Sequence, residues 1–519
     1  MNDIQSGGCF ADIFVSAIHR YPQRTALIDP ESSLSYEETG HYVSRLLQAF
    51  ADAGLERGSA VSLLAPNNVE AVCVIIACFI AGIRFTPLHP MGSDDDHAYT
   101  LKDAEVDCLI VDERAFPDRG SHLNSLVPEI TRVFSLGPSA FAADLLAASA
   151  EFEPLPLQVA AQPDDIQILI YTGGTTGKPK GIVHRSASLI ASVLNMACEC
   201  EWPEELRFLA VTPISHAANL MIPLTMLKGG TFIMVSRFSP AAFIHATGKH
   251  RATATFMVPT MIYALLDHPG MSASQIQDMQ TILYSAAAIS PVRLAEAVEI
   301  LGPIFVQSYG QTEVPITISV LRKHDHASGQ DQLLHSCGMP TPINRVRLLS
   351  DDYSEVAQGE IGELCVSGPL VMDSYWKLPD QTSEAMAGGW LHTGDLAKQD
   401  ERGYLYIVDR KKDMIVSGGF NVFPREIEDL LSELRAISMS AVIGIPSEQW
   451  GEAVCAVVAR KPGQTISAQE IQAFVKERKG PVCAPKQVDF VDSIPLTPLG
   501  KPDKKALRAQ YWQGHQRRV

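Results

Sequence analysis

The sequence predicts an α/β protein whose larger part consists of doubly wound, mainly parallel sheets, and three observations carry that expectation. Short apolar strand patterns alternate with helical ones from about residue 61 to residue 306, the order that places parallel strands inside and helices on both faces. From residue 346 to 408 the pattern changes to short strands punctuated by Gly and Asp turns, which predicts a barrel-like β subdomain. After Asp409 a compact unit mixes both patterns, so a small α+β domain over 409–519 follows a large domain over 1–408.

Each element follows from local pattern. Strand 61–65 precedes helix 69–81, strand 209–212 precedes helix 219–227, and strand 232–235 precedes helix 240–248. Further strands are expected at 254–258, 281–284 and 304–307, each leading into a segment rich in polar groups, as at the carboxyl ends of parallel strands. In the second unit, strands fall at 363–367 and 404–408. Beyond it, helices are expected at 424–431 and 468–478 and strands at 441–445 and 452–459.

Bulk properties narrow the function. A chain of 519 residues with 46% hydrophobic content buries a large core and exceeds the length one core supports. Its net charge of -17 argues against nucleic acid or anionic membrane as partner. Ten cysteines lie scattered without a CxxC pair, the nearest two being Cys198 and Cys200, which predicts reduced thiols and a cytoplasmic location. The start shows no basic region followed by an apolar one, the longest apolar run (71–83) is too short to span a bilayer, and Arg517-Arg518-Val519 is not a peroxisomal address. Asp94, Asp95 and Asp96 behind Ser93 read as a capped helix start rather than a metal cluster. His324, Asp325, His326 and His335 read as a solvated loop rather than a ligand set.

One stretch has a composition suited to few tasks: Tyr171-Thr-Gly-Gly-Thr-Thr-Gly-Lys-Pro-Lys-Gly-Ile-Val-His184. Gly173, Gly174 and Gly177 let backbone approach an anion, Thr172, Thr175 and Thr176 offer hydroxyls, and Lys178 and Lys180 add positive charge, so the segment is read as a phosphate loop fed by a strand. The loop of nucleotide hydrolases is excluded, because Pro179 stands where a magnesium-binding Ser or Thr would follow the lysine.

This segment resembles the phosphate-binding signature of the adenylate-forming superfamily, which includes acyl- and aryl-CoA ligases, peptide-synthetase adenylation domains and firefly luciferase; Gly173 stands where that family usually has Ser. Further motifs extend the resemblance from about residue 10 to residue 507. Tyr309-Gly310-Gln311-Thr312-Glu313 is similar to the segment that packs Tyr on adenine, touches the α-phosphate through Thr312, and holds magnesium through Glu313, with Thr176 as second metal ligand. Gly389 to Leu396 resembles the segment whose aspartate, here Asp395, accepts both ribose hydroxyls. Asp409 and Arg410 match the hinge and its nucleotide contact, whereas Lys411 and Lys412 read as a solvated turn. Pro495 to Lys501 resembles the loop whose lysine, Lys501, bridges carboxylate and α-phosphate.

The resemblance implies two doubly wound sheets plus the barrel-like unit in the large domain, and a small mobile domain that carries Lys501. It also implies ATP, Mg2+ and CoA as cofactors and a small-molecule carboxylic acid as substrate. Ser417, Gly418 and Gly419 match the hairpin beside the pantetheine tunnel, and Trp450 the aromatic that stacks on the CoA adenine in some aryl-CoA ligases. His216 matches the side chain bordering the acyl pocket, and Ser285-Ala286-Ala287 replaces a Ser-Gly-Gly wall. Ala217, Ala218 and Asn219 stand where amino-acid-activating relatives place an aspartate, which disfavours an α-amino acid. The implied activity is ATP-dependent formation of an acyl-AMP and then of a CoA thioester. The alternatives are a standalone enzyme loading a carrier protein and a catalytically silent adenylate binder. The oligomeric state, monomer or homodimer, is left open by the sequence.

Overall fold

Strands with unbroken apolar runs need both faces covered, and the computed structural model, which describes residues 8–172, 179–327, 331–497 and 501–512, meets that need with two large sheets packed through shared helices. One sheet has eight strands in the order Ser374–Tyr375, Lys180–Arg185, Ile166–Thr172, Arg84–Pro87, Ala60–Leu64, Cys108–Val111, Arg132–Ser135 and Ala143–Asp144. The other has nine, and its central run is parallel: Phe305–Tyr309, Thr281–Tyr284, Ala254–Met257, Arg207–Ala210, Thr231–Met234 and Thr25–Ile28.

Helix Val69–Ala81 explains the apolar run 71–83. Asn68 caps its start by accepting from the Ala71 amide, Gly82 ends it in a left-handed conformation (φ 70°), and nearly every side chain between is buried. Its Phe79 meets Phe10 and Phe14 in the main core, which draws on both sheets. Among the described residues no helix is long and apolar enough to cross a membrane.

The segment expected to be barrel-like is a four-stranded antiparallel sheet, Arg345–Leu349, Gly362–Ser367, Leu391–Gln399 and Leu405–Arg410. The last sheet contains Phe420–Val422, Ile415–Ser417, Gly451–Arg460 and Ile437–Ser447, with Gln487–Val491 added parallel to Gly451–Arg460. Helices Pro424–Ser432 and Ala468–Cys483 bury Ile427, Leu431, Ile471 and Val475 on one side of it, and Leu507 of helix Lys504–Tyr511 joins a second apolar cluster. Helix Ala468–Cys483 runs past the expected end at residue 478, across a kink where Gly480 (φ 82°) and Pro481 break the helical geometry.

The acidic run is a helix start as expected, with Ser93 accepting from the Asp96 amide. The reading of His324–His326 as solvated is corrected: Asp325 and His326 are buried in a short 3-10 helix. Tyr404 donates to Asp325 Oδ1 at 2.7 Å, and the His326 ring meets the Tyr284 hydroxyl at 2.9 Å. Burial pushes His326 down to about 4, so it stays neutral. All ten cysteines are free thiols.

Candidate active site

Parallel neighbours end on the same rim, so the loops after Arg207–Ala210, Thr281–Tyr284 and Phe305–Tyr309 bring His216, Ser285 to Ala287, and Tyr309 to Glu313 to one edge of the nine-stranded sheet. Gly310 is the residue this edge requires. A Cβ there would lie 2.6 Å from the Ile316 carbonyl carbon, and Ile316 itself is held at φ 63°, where the Thr317 amide donates back to Pro315 O at 2.7 Å in a tight γ-turn.

Asp395 faces this rim from strand Leu391–Gln399, paired in register with Arg410 of Leu405–Arg410. The residue is only 4% exposed. Tyr309 Oη donates to Oδ2 at 2.5 Å, Gln311 Nε2 donates to the same oxygen at 2.7 Å, and Arg410 Nε sits 3.0 Å from Oδ1. Asp395 and burial act in opposite senses on Arg410, and Asp395 prevails, raising the guanidinium further. Burial, reinforced by Asp395, holds the Tyr309 phenol well above its ordinary range, so the hydroxyl keeps its proton as a donor.

On the phosphate side, Thr172 pairs with Lys180 across the hairpin of Ile166–Thr172 and Lys180–Arg185. Gly173, Gly174, Thr175 and Thr176, expected to cradle phosphate and metal, lie outside the described residues. Lys180 Nζ stands 4.7 Å from the centre of the Tyr375 ring, and Tyr375 Oη donates to Glu313 Oε1 at 2.9 Å. Behind them His184, fully buried and pushed down to about 4 by that burial, donates from Nε2 to Thr312 O at 2.7 Å while Nδ1 faces Ser188 Oγ at 3.1 Å. The Met372 amide donates to Glu313 O at 2.8 Å. Thr312 is thus held through its carbonyl, and Glu313 through backbone and side chain alike. Tyr375, His184 and Gln311 were not expected as site residues; Tyr375 meets a partner 62 residues away in sequence, and His184, although it closes the glycine-rich stretch, takes its place from a partner 128 residues away.

Lys501 arrives from the C-terminal unit on a loop closed by two bonds, Thr497 N to Lys501 O at 2.7 Å and Lys501 N to Thr497 Oγ1 at 3.2 Å. Burial first, then the Arg410 charge, pushes its ammonium down to about 8, with Asp395 opposing. The structure therefore brings Lys501, Asp395 and Arg410 into one electrostatic neighbourhood. Lys411 is half-exposed and paired with Asp351 at 2.7 Å, as a surface turn should be. The reading of Lys412 as solvated is corrected to a partly buried one, and that burial together with the Arg410 charge pushes its ammonium down to about 8 as well. Asp409 accepts from the Arg410 amide at 2.7 Å and from the Arg425 amide, at the start of helix Pro424–Ser432, at 2.9 Å.

His216, expected to border the acyl pocket, lies largely buried on this rim. Its ring meets His89 edge-on with centroids 4.7 Å apart, and burial and His89 push it to about 3, so neither histidine presents a cation there. Ser285 Oγ donates to Ser308 O at 2.6 Å. Next to it Ala286 holds φ 75°, the left-handed region that favours glycine. Asn219 is buried.

Gly418 and Gly419, at φ 59° and 83°, form the two-residue turn joining Ile415–Ser417 to Phe420–Val422. Gly418 N donates to Trp450 O at 2.8 Å, and a Cβ on Gly418 would lie 2.7 Å from Trp450 Cε3. Phe420 and Trp450 leave 61% and 39% of their surface open, so this hairpin makes an exposed aromatic ledge of its own.

Comparisons with known proteins show the family. Residues 14–376 match the AMP-binding enzyme family, and residues 426–501 match the AMP-binding enzyme C-terminal domain. The chain is 46% identical to the medium/long-chain-fatty-acid–CoA ligase FadD8 of Mycobacterium tuberculosis over 98% of this chain and 91% of that protein. It is 36% identical to a feruloyl-CoA synthase of an Amycolatopsis species over 94% of this chain and 96% of that one. The solved structure of ATP-bound MatB from Rhodopseudomonas palustris superposes with a TM-score of 0.89 at 27% identity, covering 98% and 100% of the two chains.

Proposed function

Because the chain belongs to the AMP-binding enzyme family, we propose that it is an AMP-forming acid:CoA ligase that activates an acyl or aryl carboxylic acid with ATP and then forms the CoA thioester. The observation that carries this reading is Asp395 buried among Tyr309, Gln311 and Arg410, with Lys501 in the same neighbourhood. A carboxylate with two oxygens and fixed partners is suited to accept both ribose hydroxyls. In this reading Lys501 would offset the charge that grows between carboxylate and α-phosphate.

Magnesium fits Glu313. It is a hard oxygen donor whose Oε1 is oriented by Tyr375, and magnesium commonly takes one or two carboxylates together with substrate phosphates. Among the described residues no group of three His, Cys, Asp or Glu side chains could hold a metal. When bound, it offsets the repulsion between the two anions. Lys180 and the threonines at 175 and 176 would hold the departing pyrophosphate.

In this reading the division into 1–408 and 409–519 falls at Asp409, whose carboxylate accepts from backbone amides on the joining strand and on the first helix after it. Rotation there would withdraw Lys501 and present Gly418, Gly419 and Trp450 to the adenylate. The neutral His216 and the Ala286–Ala287 wall suit an acid tail without an ammonium group. Free thiols throughout fit work in the cytoplasm. The test is pyrophosphate release with MgATP across aliphatic and aryl acids, with and without CoA. Acid-dependent release with an acyl-CoA product is expected. Release confined to one turnover in CoA, with transfer to a phosphopantetheinyl protein, would reassign the acceptor, and no release with any acid would overturn the reading.

A further inference from the structure

Two groups assigned to the phosphate end of the site, Lys180 and Glu313, touch the same side chain. Tyr375 belongs to the two-residue strand Ser374–Tyr375, which pairs antiparallel with the strand of Lys180, Tyr375 opposite Ile182 and Ser374 opposite Val183. That register turns the Tyr375 ring under the Lys180 ammonium, 4.7 Å from ring centre to Nζ, while the phenol reaches Glu313 Oε1 at 2.9 Å. Met372, three residues earlier, gives its amide to Glu313 O, and Trp376 N donates to Gly181 O at 2.8 Å, so backbone bonds fix the segment on both sides of the ring.

Resting on the functional reading above, we propose that Tyr375 is a positioning residue for adenylation, whose ring seats Lys180 and whose hydroxyl fixes the Glu313 carboxylate, setting the phosphate cation and the magnesium ligand as one unit. Lysine has four rotatable bonds and glutamate three, and neither has a fixed direction at a solvent-facing rim. An aromatic face attracts the ammonium without neutralising it, leaving its charge for phosphate. A phenol donating to one carboxylate oxygen stops that carboxylate from rotating and from closing directly onto Lys180, an ion pair that would compete with both ligands.

The test is calorimetric titration of ATP with and without magnesium, which reads binding rather than turnover. Tyr375→Phe keeps the ring and strand pairing and removes only the hydroxyl. It is expected to leave metal-free ATP affinity within about twofold and to weaken MgATP binding about tenfold, as loss of a bond to a charged partner implies. Tyr375→Leu is expected to lose a further two- to fivefold or so in metal-free affinity, the scale of an exposed cation–π contact. A double-mutant cycle separates positioning from damage to the fold: in the Glu313→Gln background the Phe substitution should cost less than about twofold. Equal losses in both backgrounds, or unchanged MgATP affinity for Tyr375→Phe, would overturn the proposal while the parent's acid-dependent pyrophosphate release stands. A parent without that release would remove the functional reading and the proposal with it.

Discussion

Arg410 and Asp395 face each other across paired antiparallel strands, Nε 3.0 Å from Oδ1, so the two residues that would grip the nucleotide are fixed by sheet register rather than by a loop. Asp395→Asn keeps the shape but removes the charge that Arg410 answers and one acceptor for Tyr309 or Gln311. ATP affinity should fall by about one to two orders of magnitude, as for a lost hydrogen bond to a charged group. Calorimetric titration of ATP checks this, and an unchanged affinity would remove Asp395 from the nucleotide site.

Lys501 supplies a pH dependence. With its ammonium pushed down to about 8 in the free protein, the charged form dominates below that value and is lost as pH rises through it. The kcat/KM for acid-dependent pyrophosphate release, which reports the free enzyme, should therefore fall above about pH 8. Lys501→Arg keeps a charge that does not titrate in this range and should remove that limb, even at a lower rate. Lys501→Ala should lower the rate about a hundredfold or more, and an undiminished rate would move the catalytic charge elsewhere.

Ala286 occupies a backbone conformation that costs an L-residue about 1–2 kcal/mol, whereas glycine adds back about 0.5–1 kcal/mol through chain entropy. The strain outweighs the entropy, so Ala286→Gly should raise stability by about 0.5–1 kcal/mol and also widen the pocket wall by one methyl group. Thermal melting reads the first effect and kcat/KM across acids of increasing width the second. A lower melting temperature would mean that the Ala286 methyl packs well enough to outweigh its strain.

Much of this was legible in sequence where structure is local. Strand Thr281–Tyr284 and helix Val69–Ala81 fall on the expected residues because their apolar periods and caps lie within them. Asp395, Arg410, Lys501 and the Gly418–Gly419 turn were visible through contiguous motifs. What escaped depends on distant segments meeting. Tyr375 acquires its place only when a two-residue edge strand pairs with the strand of Lys180, and buried His326 and its neighbour Asp325 find their partners in Tyr284 and Tyr404, both distant in sequence. Lys412 reads as one charge in a polar run; its partial burial beside Arg410, which pairs with Asp395 from another strand, follows only from the fold.

Gly418 and Trp450 separate the two half-reactions experimentally. Ala at 418 would place Cβ 2.7 Å from Trp450 Cε3 and force a non-glycine residue to φ 59°, so both the turn and the aromatic ledge must shift. Trp450→Ala removes the ledge and leaves the turn intact. Neither change touches Asp395, Arg410 or Lys501, so pyrophosphate release in the absence of CoA should stay within about twofold of the parent. The KM for CoA should rise about fivefold or more for Trp450→Ala, the scale of one stacking contact. Gly418→Ala should also lower kcat for thioester formation, because the hairpin itself has to approach the adenylate. Parallel losses in both half-reactions would mean that this ledge supports the fold rather than the thiol, and the acceptor site would have to be sought elsewhere on the chain.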